Sequence, residues 1–179
     1  MKRQGPQAFP ALVYRGVDNM QLADLVAQAI GDWHPDATFI DSGAGAGVID
    51  RLKQLGYHII EVPFGGRANR HTLHVNRRTE MWFEMRDWLQ GGGAIPDSLS
   101  LKQELATPTY SFDTSGRRVL ESKDQIKKRL QNAGSPDLAD ALALTFASPI
   151  QKSIDRYEMA RAGSKRDRNG WDRDPYDNI

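Results

Sequence analysis

Two acidic segments, far apart in the sequence, contain the residues best suited to metal chemistry. The first, residues 38 to 47, places Asp41 at the start of a glycine-rich stretch. The second, residues 135 to 144, places Asp137 and Asp140 near a helix start. Carboxylates on separate elements can converge on Mg²⁺ or Mn²⁺, hard cations that take oxygen ligands, beside a phosphate under attack. The pattern predicts a carboxylate metal site, and metal-dependent cleavage of a nucleic acid is the first functional hypothesis.

Each aspartate also has a purely structural interpretation. Asp41 follows a predicted strand, where α/β sheets place ligand-binding groups, but its carboxylate can equally cap the next turn through backbone amides. Ser135 suits an N-cap and Pro136 the first helical position, so Asp137 falls in a first turn where the helix dipole favours negative charge. Asp140 lies about 60° round the same helix. The sequence leaves open whether Asp137, Asp140 or both face a metal.

The composition restricts the class of protein. The chain has 179 residues, which suffice for one domain of ordinary size. It contains no cysteine, which excludes a disulfide framework, a thiolate nucleophile and a Cys-ligated zinc site. No apolar stretch reaches the roughly 18 residues of a spanning helix, and residues 1 to 6 lack the apolar core of a signal peptide. We therefore expect a soluble, intracellular protein.

The formal net charge of +1 conceals two basic clusters. The first contains Arg67, Arg70, His71, His74, Arg77 and Arg78, and the second contains Lys123, Lys127, Lys128 and Arg129. Such clusters suit a polyanion, although a solvated helix face explains a run of charge as well. The two histidines have no third ligand nearby, which argues against zinc. The predicted DNA-contacting residues are Arg77, Arg78, Lys123, Lys127 and Lys128.

Hydrophobic periodicity predicts alternating strands and helices in the first half of the chain. Strands are expected at residues 11 to 14, 37 to 41 and 57 to 62. A helix over about 18 to 33 follows the first, and a second helix runs from the glycines to Gly56. The last two strands and the helix between them form a βαβ crossover, which favours a parallel α/β sheet.

The second half is predicted to be mostly helical. Two strand-like pieces, joined through residues 113 to 116, indicate one β-hairpin over about 109 to 121. Helices are expected at about 75 to 90, 99 to 105, 122 to 131 and 135 to 147. From about Gln151 the sequence is polar with little to bury, so residues 149 to 179 are predicted to form a mobile C-terminal tail.

Several motifs occur in a fixed order between about Pro10 and Ala147. They are Phe39-Ile40-Asp41 with the glycines that follow, Val62-Pro63-Phe64-Gly65-Gly66 with Asn76-Arg77-Arg78 and Glu80-Met81-Trp82, and Leu120-Glu121-Ser122-Lys123-Asp124 with Ser135-Pro136-Asp137 and Asp140-Ala141-Leu142-Ala143-Leu144. In this order they resemble the C-terminal nuclease domain of the large terminase subunit of tailed phages and prophages.

The resemblance implies both a fold and an activity. The fold would be α/β, a ribonuclease H-like mixed sheet flanked by helices with a β-hairpin insertion, over residues 11 to 148 after an extension of residues 1 to 10. In that family the domain cuts concatemeric viral DNA in the host cell cytoplasm, using acids and two divalent metals, Mg²⁺ or Mn²⁺. By resemblance Asp41 and Asp137 would be metal ligands, and Asp140 would join them as a less certain catalytic companion. The implied partners are double-stranded DNA, the ATPase motor, the small terminase subunit and the portal.

The chain departs from the family's pattern at its start. The family's domain begins with two strands, the first of which carries a further metal-binding aspartate, whereas this chain starts at what resembles the third strand, residues 11 to 14. Residues 1 to 10 contain no Asp or Glu. Because the family's strand order is 3-2-1-4-5, exposed sheet edges should follow. The resemblance therefore implies an N-terminally truncated domain that cleaves weakly or not at all by itself.

Two other functions are compatible with parts of the sequence. The segment from Asp41 to Gly47 also resembles the glycine-rich loop of S-adenosylmethionine-dependent methyltransferases, and Glu61 closes the next strand, where those enzymes hold the ribose. That interpretation requires several further strands and gives no account of residues 137 to 144. The other alternative is a non-catalytic DNA-binding or packaging module, in which DNA binding would persist without metal.

Overall fold

The computed structural model describes residues 1 to 131 and 134 to 150. The predicted tail, residues 149 to 179, therefore lies almost entirely outside the described residues. Residues 1 to 149 form one compact unit. Within the described part of the chain, no helix has the length and apolar character needed to cross a membrane.

Short strands alternate with helices along this unit. The strands are β1 (Arg3–Gln4), β2 (Gln7–Ala8), β3 (Phe39–Asp41), β4 (Ile60–Val62), β5 (Tyr110–Phe112) and β6 (Arg118–Leu120). The helices are α1 (Asn19–Trp33), α2 (Ser42–Gln54), α3 (Arg77–Gln90), α4 (Leu99–Ala106), α5 (Lys123–Arg129) and α6 (Asp137–Ala143), and a 3₁₀ turn (Leu144–Phe146) follows α6.

The βαβ crossover is confirmed. β3 pairs in parallel with β4, with Asp41 opposite Val62, and α2 is the crossover helix. The β5–β6 hairpin is also present, antiparallel, with Tyr110 opposite Leu120. The described residues form three separate two-stranded sheets.

The predicted strand at residues 11 to 14 was wrong. Its apolar sequence has high strand propensity, but such a sequence forms a strand only where a neighbour supplies hydrogen bonds. No backbone hydrogen bond joins these residues to another described strand. Leu12 and Val13 are both 59% exposed. The N-terminal strands lie earlier, in the β1–β2 hairpin, where Ala8 is buried and its N–H donates to the Ala94 carbonyl over 2.8 Å.

The glycines after Asp41 allow α2 to lie close to its neighbours. A Cβ at Gly45 would lie 2.6 Å from Ile40 Cγ2, and one at Gly47 would lie 2.5 Å from Asn19 Nδ2. Both distances are shorter than a normal van der Waals contact. Helices α1 and α2 consequently share one hydrophobic core, whose buried members are Ala23, Val48, Ile49, Leu52 and Ile59.

A second core joins α3, α4 and α6. Its buried residues include Val62, Met81, Trp82, Met85, Leu101, Ala139, Leu142 and Ala143. The expected Ser135 cap of α6 was wrong, since Pro136 holds the N-cap position and the helix begins at Asp137, one residue later than expected, without a local side-chain cap. Instead Glu104 Oε2, on α4, accepts the N–H groups of Leu138 and Ala139 over 2.6 and 3.0 Å. A side chain from another helix therefore caps the helix that carries Asp137 and Asp140.

Candidate functional site

Asp41 takes the capping role that the sequence analysis gave as its structural interpretation. It is the N-cap of α2, where its Oδ1 accepts the Gly43 N–H over 3.0 Å. No other hydrogen bond or ion pair to its carboxylate occurs in the described part of the chain. One oxygen therefore stabilises the helix start, while the other is available to a ligand.

Asp41 opens into a pocket of about 370 Å³. The pocket lies where the carboxyl end of β3, the loop after β4, the start of α3, the end of β6 and the start of α5 meet. Its lining residues are Asp41, Phe64, Gly65, Asn76, Arg78, Thr79, Leu120, Ser122 and Lys123. Segments widely separated in sequence thus converge beside one free carboxylate oxygen.

Lys123 connects this pocket to the late acidic helix. Its Nζ lies 3.0 Å from Asp137 Oδ1 and 3.1 Å from Asp140 Oδ2. Burial opposes protonation of the amine, but the hydrogen bonds to the two aspartates outweigh burial and raise the pKa of Lys123. The side chain is therefore a firmly held ammonium ion placed between α6 and the Asp41 pocket.

Asp140 is an internal ion-pair partner. Its side chain is only 6% exposed. Its Oδ1 accepts the Arg78 Nε–H over 2.9 Å and the Trp82 indole N–H over 2.7 Å. Arg78 also donates from Nη1 to the Glu121 carbonyl over 3.0 Å, next to the start of α5. Asp140 therefore joins α6 to α3, and its oxygens are already engaged by protein groups.

Asp137 is much more accessible. Its side chain is 72% exposed, with Lys123 as its ion-pair partner. Burial raises the pKa of Asp137, but the adjacent Ser135 hydroxyl and the Lys123 ammonium exceed that effect and lower it overall. The carboxylate is thus ionised at neutral pH and within reach of an incoming cation.

The carboxylates around the Asp41 pocket do not form a closed metal site. No group of three or more Asp, Glu or His side chains capable of holding a metal occurs within the described ranges. The donors that remain are the free oxygen of Asp41 and the exposed carboxylate of Asp137. The Lys123 ammonium group already forms ion pairs with both acids of α6, as a metal cation would.

The predicted DNA-contacting residues have different surroundings. Arg77 pairs with buried Glu80 and is 13% exposed at its side chain, and Arg78 faces inward toward Asp140. Lys127 and Lys128 are exposed on α5. The Lys123 side chain lines the Asp41 pocket and also pairs with Asp137 and Asp140 on α6. Only the two exposed lysines of this set have freely accessible ammonium groups.

Two of the residues that build the site gave no local signal in the sequence. Glu104 caps α6 from 34 residues away, and no spacing rule marks it. Trp82 is buried in the core of the structure, and its indole N–H also donates to Asp140 Oδ1. Glu61, which the methyltransferase interpretation requires at a ribose, instead pairs with Lys53. His74 is buried against Phe83, whereas His71 is exposed.

Comparison with known proteins identifies solved structures with a similar fold. No protein-family model and no curated protein matches the chain. Among solved structures, a lysine-to-alanine variant of the nuclease domain of the large terminase subunit of bacterial virus Sf6, with manganese and beta-thujaplicinol, matches with a TM-score of 0.67 and 19% identity. That match covers 82% of this chain and 80% of the other.

Two further structures of the same Sf6 domain agree. One has a TM-score of 0.62 at 18% identity, and one with calcium has a TM-score of 0.62 at 20% identity. Each match covers 82% of this chain and 80% of the other. The predicted α/β fold of a terminase nuclease domain is therefore confirmed.

Proposed function

We propose that this chain is the metal-dependent DNA endonuclease module of a phage packaging terminase. The observation that carries the proposal is the pocket in which Asp41 has a free oxygen and Lys123 connects that pocket to Asp137. Similar solved domains are described as terminase nuclease domains and were studied with manganese and calcium. Their fold is shared along most of both chains.

Asp41 and Asp137 are the residues that would hold a divalent cation, Mg²⁺ or Mn²⁺. Such a cation supplies a Lewis acid that lowers the pKa of bound water and neutralises phosphate charge. Lys123 places positive charge at the same location, so it competes with metal for Asp137 and can also contact a phosphate. Asp140 positions Arg78, Trp82 and Lys123 and is not a ligand in this proposal. Because this proposal gives the metal only two carboxylate ligands, we expect weak metal binding and slow cleavage.

The substrate in this proposal is double-stranded viral DNA, cut during packaging in the host cell. The packaging partners would be the ATPase motor, the small subunit and the portal. A phosphodiester fits the pocket's chemistry, since a free carboxylate, an ammonium group and an open rim lie together. The methyltransferase alternative is less well supported, because the described residues after β4 contain only the β5–β6 hairpin as strands.

Cleavage of supercoiled plasmid with Mn²⁺ or Mg²⁺ tests the proposal. We expect slow nicking that is lost in Asp41→Ala and strongly reduced in Asp137→Ala, with circular dichroism confirming that each variant is folded. Asp24→Asn, which removes an exposed acid on α1, is the matched control and should cleave like the parent. Nicking that persists in Asp41→Ala would refute the assignment of the site.

Direct titration with Mn²⁺ provides an independent measurement. Lys123→Ala removes the ammonium that occupies the acids of α6, so it should bind Mn²⁺ more tightly, whereas Asp41→Ala should bind it more weakly. If metal affinity is the same in all three proteins, Asp41 is not a ligand and Lys123 does not compete with metal for Asp137. A protein that binds DNA without metal and never cleaves it would support the non-catalytic binding module instead.

A further inference from the structure

The loop between β4 and α3 carries exposed positive charge that the metal site does not use. We define this basic loop as residues 65 to 76. Arg67, Arg70 and His71 are exposed within it. Arg67 and His71 have no carboxylate partner within the described ranges, whereas Arg70 pairs with Glu84. The loop therefore presents the unpaired Arg67 guanidinium to solvent, while the arginines that follow it point inward.

A buried carboxylate fixes the shape of the basic loop. Glu80, whose side chain is 1% exposed, accepts the backbone N–H groups of Asn69 and Arg70 over 2.8 and 2.7 Å. It also accepts Arg77 Nη1–H over 2.6 Å. Carboxylates that accept several N–H groups in a buried position hold the donor segment rigidly. The loop is thus ordered before any ligand arrives, which lowers the entropic cost of binding.

The β5–β6 hairpin extends the same surface. Backbone hydrogen bonds join Leu73 and Val75 of the loop to Arg118 of β6, over 2.8 and 3.1 Å. The Arg118 guanidinium lies 4.6 Å from the centre of the Phe83 ring and has no carboxylate partner in the described chain. Tyr110, 52% exposed on β5, contacts the same ring edge-on. Cations and an exposed aromatic ring therefore lie on one continuous surface.

This surface leads directly to the Asp41 pocket. Gly65 and Asn76, the two ends of the basic loop, line the pocket, as does Leu120 at the end of β6. A strand of phosphates that follows the loop and the hairpin would thus reach the free oxygen of Asp41. An acidic partner protein would require no such continuity with a metal pocket.

We propose that the basic loop and the β5–β6 hairpin form a preorganised surface that binds the phosphate backbone of duplex DNA beside the pocket, with Glu80 as the residue that positions the loop. Arg67 and Arg118 are the principal phosphate contacts. Arginine suits this role because its guanidinium stays charged and presents several donors to phosphate oxygens. The inference rests on the proposed function, since it names how that site would hold its substrate.

Binding of a fluorescein-labelled duplex, followed by anisotropy in EDTA over a range of salt concentrations, tests this surface separately from cleavage. Arg67→Ala and Arg118→Ala should each weaken binding at low salt about three- to tenfold and reduce the slope of log affinity against log salt by about 1. Lys102→Ala, which removes a lysine on α4, is the charge-matched control and should bind like the parent. Titration of Arg67→Ala and Arg118→Ala with Mn²⁺ should give the parent's metal affinity, so failure of the metal site and failure of this DNA surface are distinguishable.

Glu80→Gln tests the positioning role. It should lower DNA affinity to about the level of Arg67→Ala and speed tryptic cleavage after Arg67, in protein that circular dichroism shows to be folded. A purely structural role would lower the unfolding midpoint while the folded fraction kept its DNA affinity. The proposal is overturned if Arg67→Ala and Arg118→Ala bind DNA like the parent. It is also overturned if polyglutamate of equal charge competes with the labelled duplex for the parent protein as strongly as unlabelled duplex does. The surface would then be a general anion site.

Discussion

Replacement of Asp140 by alanine is the sharpest test of how the site is built. The substitution leaves the Arg78 guanidinium without its carboxylate, and the Arg78 side chain is only 11% exposed. It also leaves the Trp82 indole N–H unpaired. Removing one partner of a buried ion pair costs about 3–5 kcal/mol, because the remaining charge is uncompensated. Against a total stability of about 5–15 kcal/mol, this loss is a large fraction.

The assay is urea unfolding in EDTA, followed by circular dichroism. We expect Asp140→Ala to lose about 3–5 kcal/mol, which corresponds to a fall in Tm of about 6–20 °C for a domain of this size. Asp137→Ala removes an acid with a 72% exposed side chain from the same helix. It should cost at most about 1 kcal/mol, as exposed ion pairs do. Asp137 is therefore the matched control.

A double substitution separates a buried charge from lost packing. Arg78→Met combined with Asp140→Leu removes both charges and keeps similar volume, so it should recover part of the stability that Asp140→Ala loses, although the Trp82 indole N–H stays unpaired. If Asp140→Ala costs less than about 1 kcal/mol, or no more than Asp137→Ala, Asp140 is not a buried ion-pair partner and its assigned positioning role is refuted.

Three further predictions follow from the contacts that position the site. Gly45→Ala should destabilise the protein by about 1–3 kcal/mol in chemical unfolding, because its Cβ overlaps the core. Gly31→Ala, whose Cβ meets open space on α1, should instead stabilise the protein by up to about 1 kcal/mol. Equal effects of the two substitutions would contradict the close approach of α2 to its neighbours. Glu104→Ala should cost about 0.5–2 kcal/mol through the lost cap of α6, and an unchanged unfolding midpoint would exclude that cap. Hydrogen bonds from Arg129 hold the pKa of Glu121 at about 2, below its ordinary 4.5. Its ionised form therefore stabilises the protein at pH above about 4.5, and this stability is lost as the pH falls towards 2, so an acid titration of Glu121→Gln should show a shallower loss over that range than the parent.

Periodicity predicted most elements because it reflects which face of each element is buried. Helix α3 was expected over about 75 to 90 and runs over Arg77–Gln90. The hairpin was found from its turn residues. The strand at residues 11 to 14 failed for the opposite reason, since strand propensity is realised only when another strand supplies hydrogen bonds. A local pattern cannot reveal the absence of a neighbour.

The candidate site likewise has one part that local sequence predicts and another that depends on long-range contacts. The placement of Asp41 could be predicted from local sequence, because a strand end, a cap and the glycines that let α2 pack closely are all consecutive residues. The packing of distant elements, by contrast, brings Asp140 to Arg78, 62 residues away, and lets Lys123 connect α6 to the Asp41 pocket. These roles depend on contacts between distant elements, where burial and charge neutralisation select the partner and the spacing of residues along the chain carries no record of it.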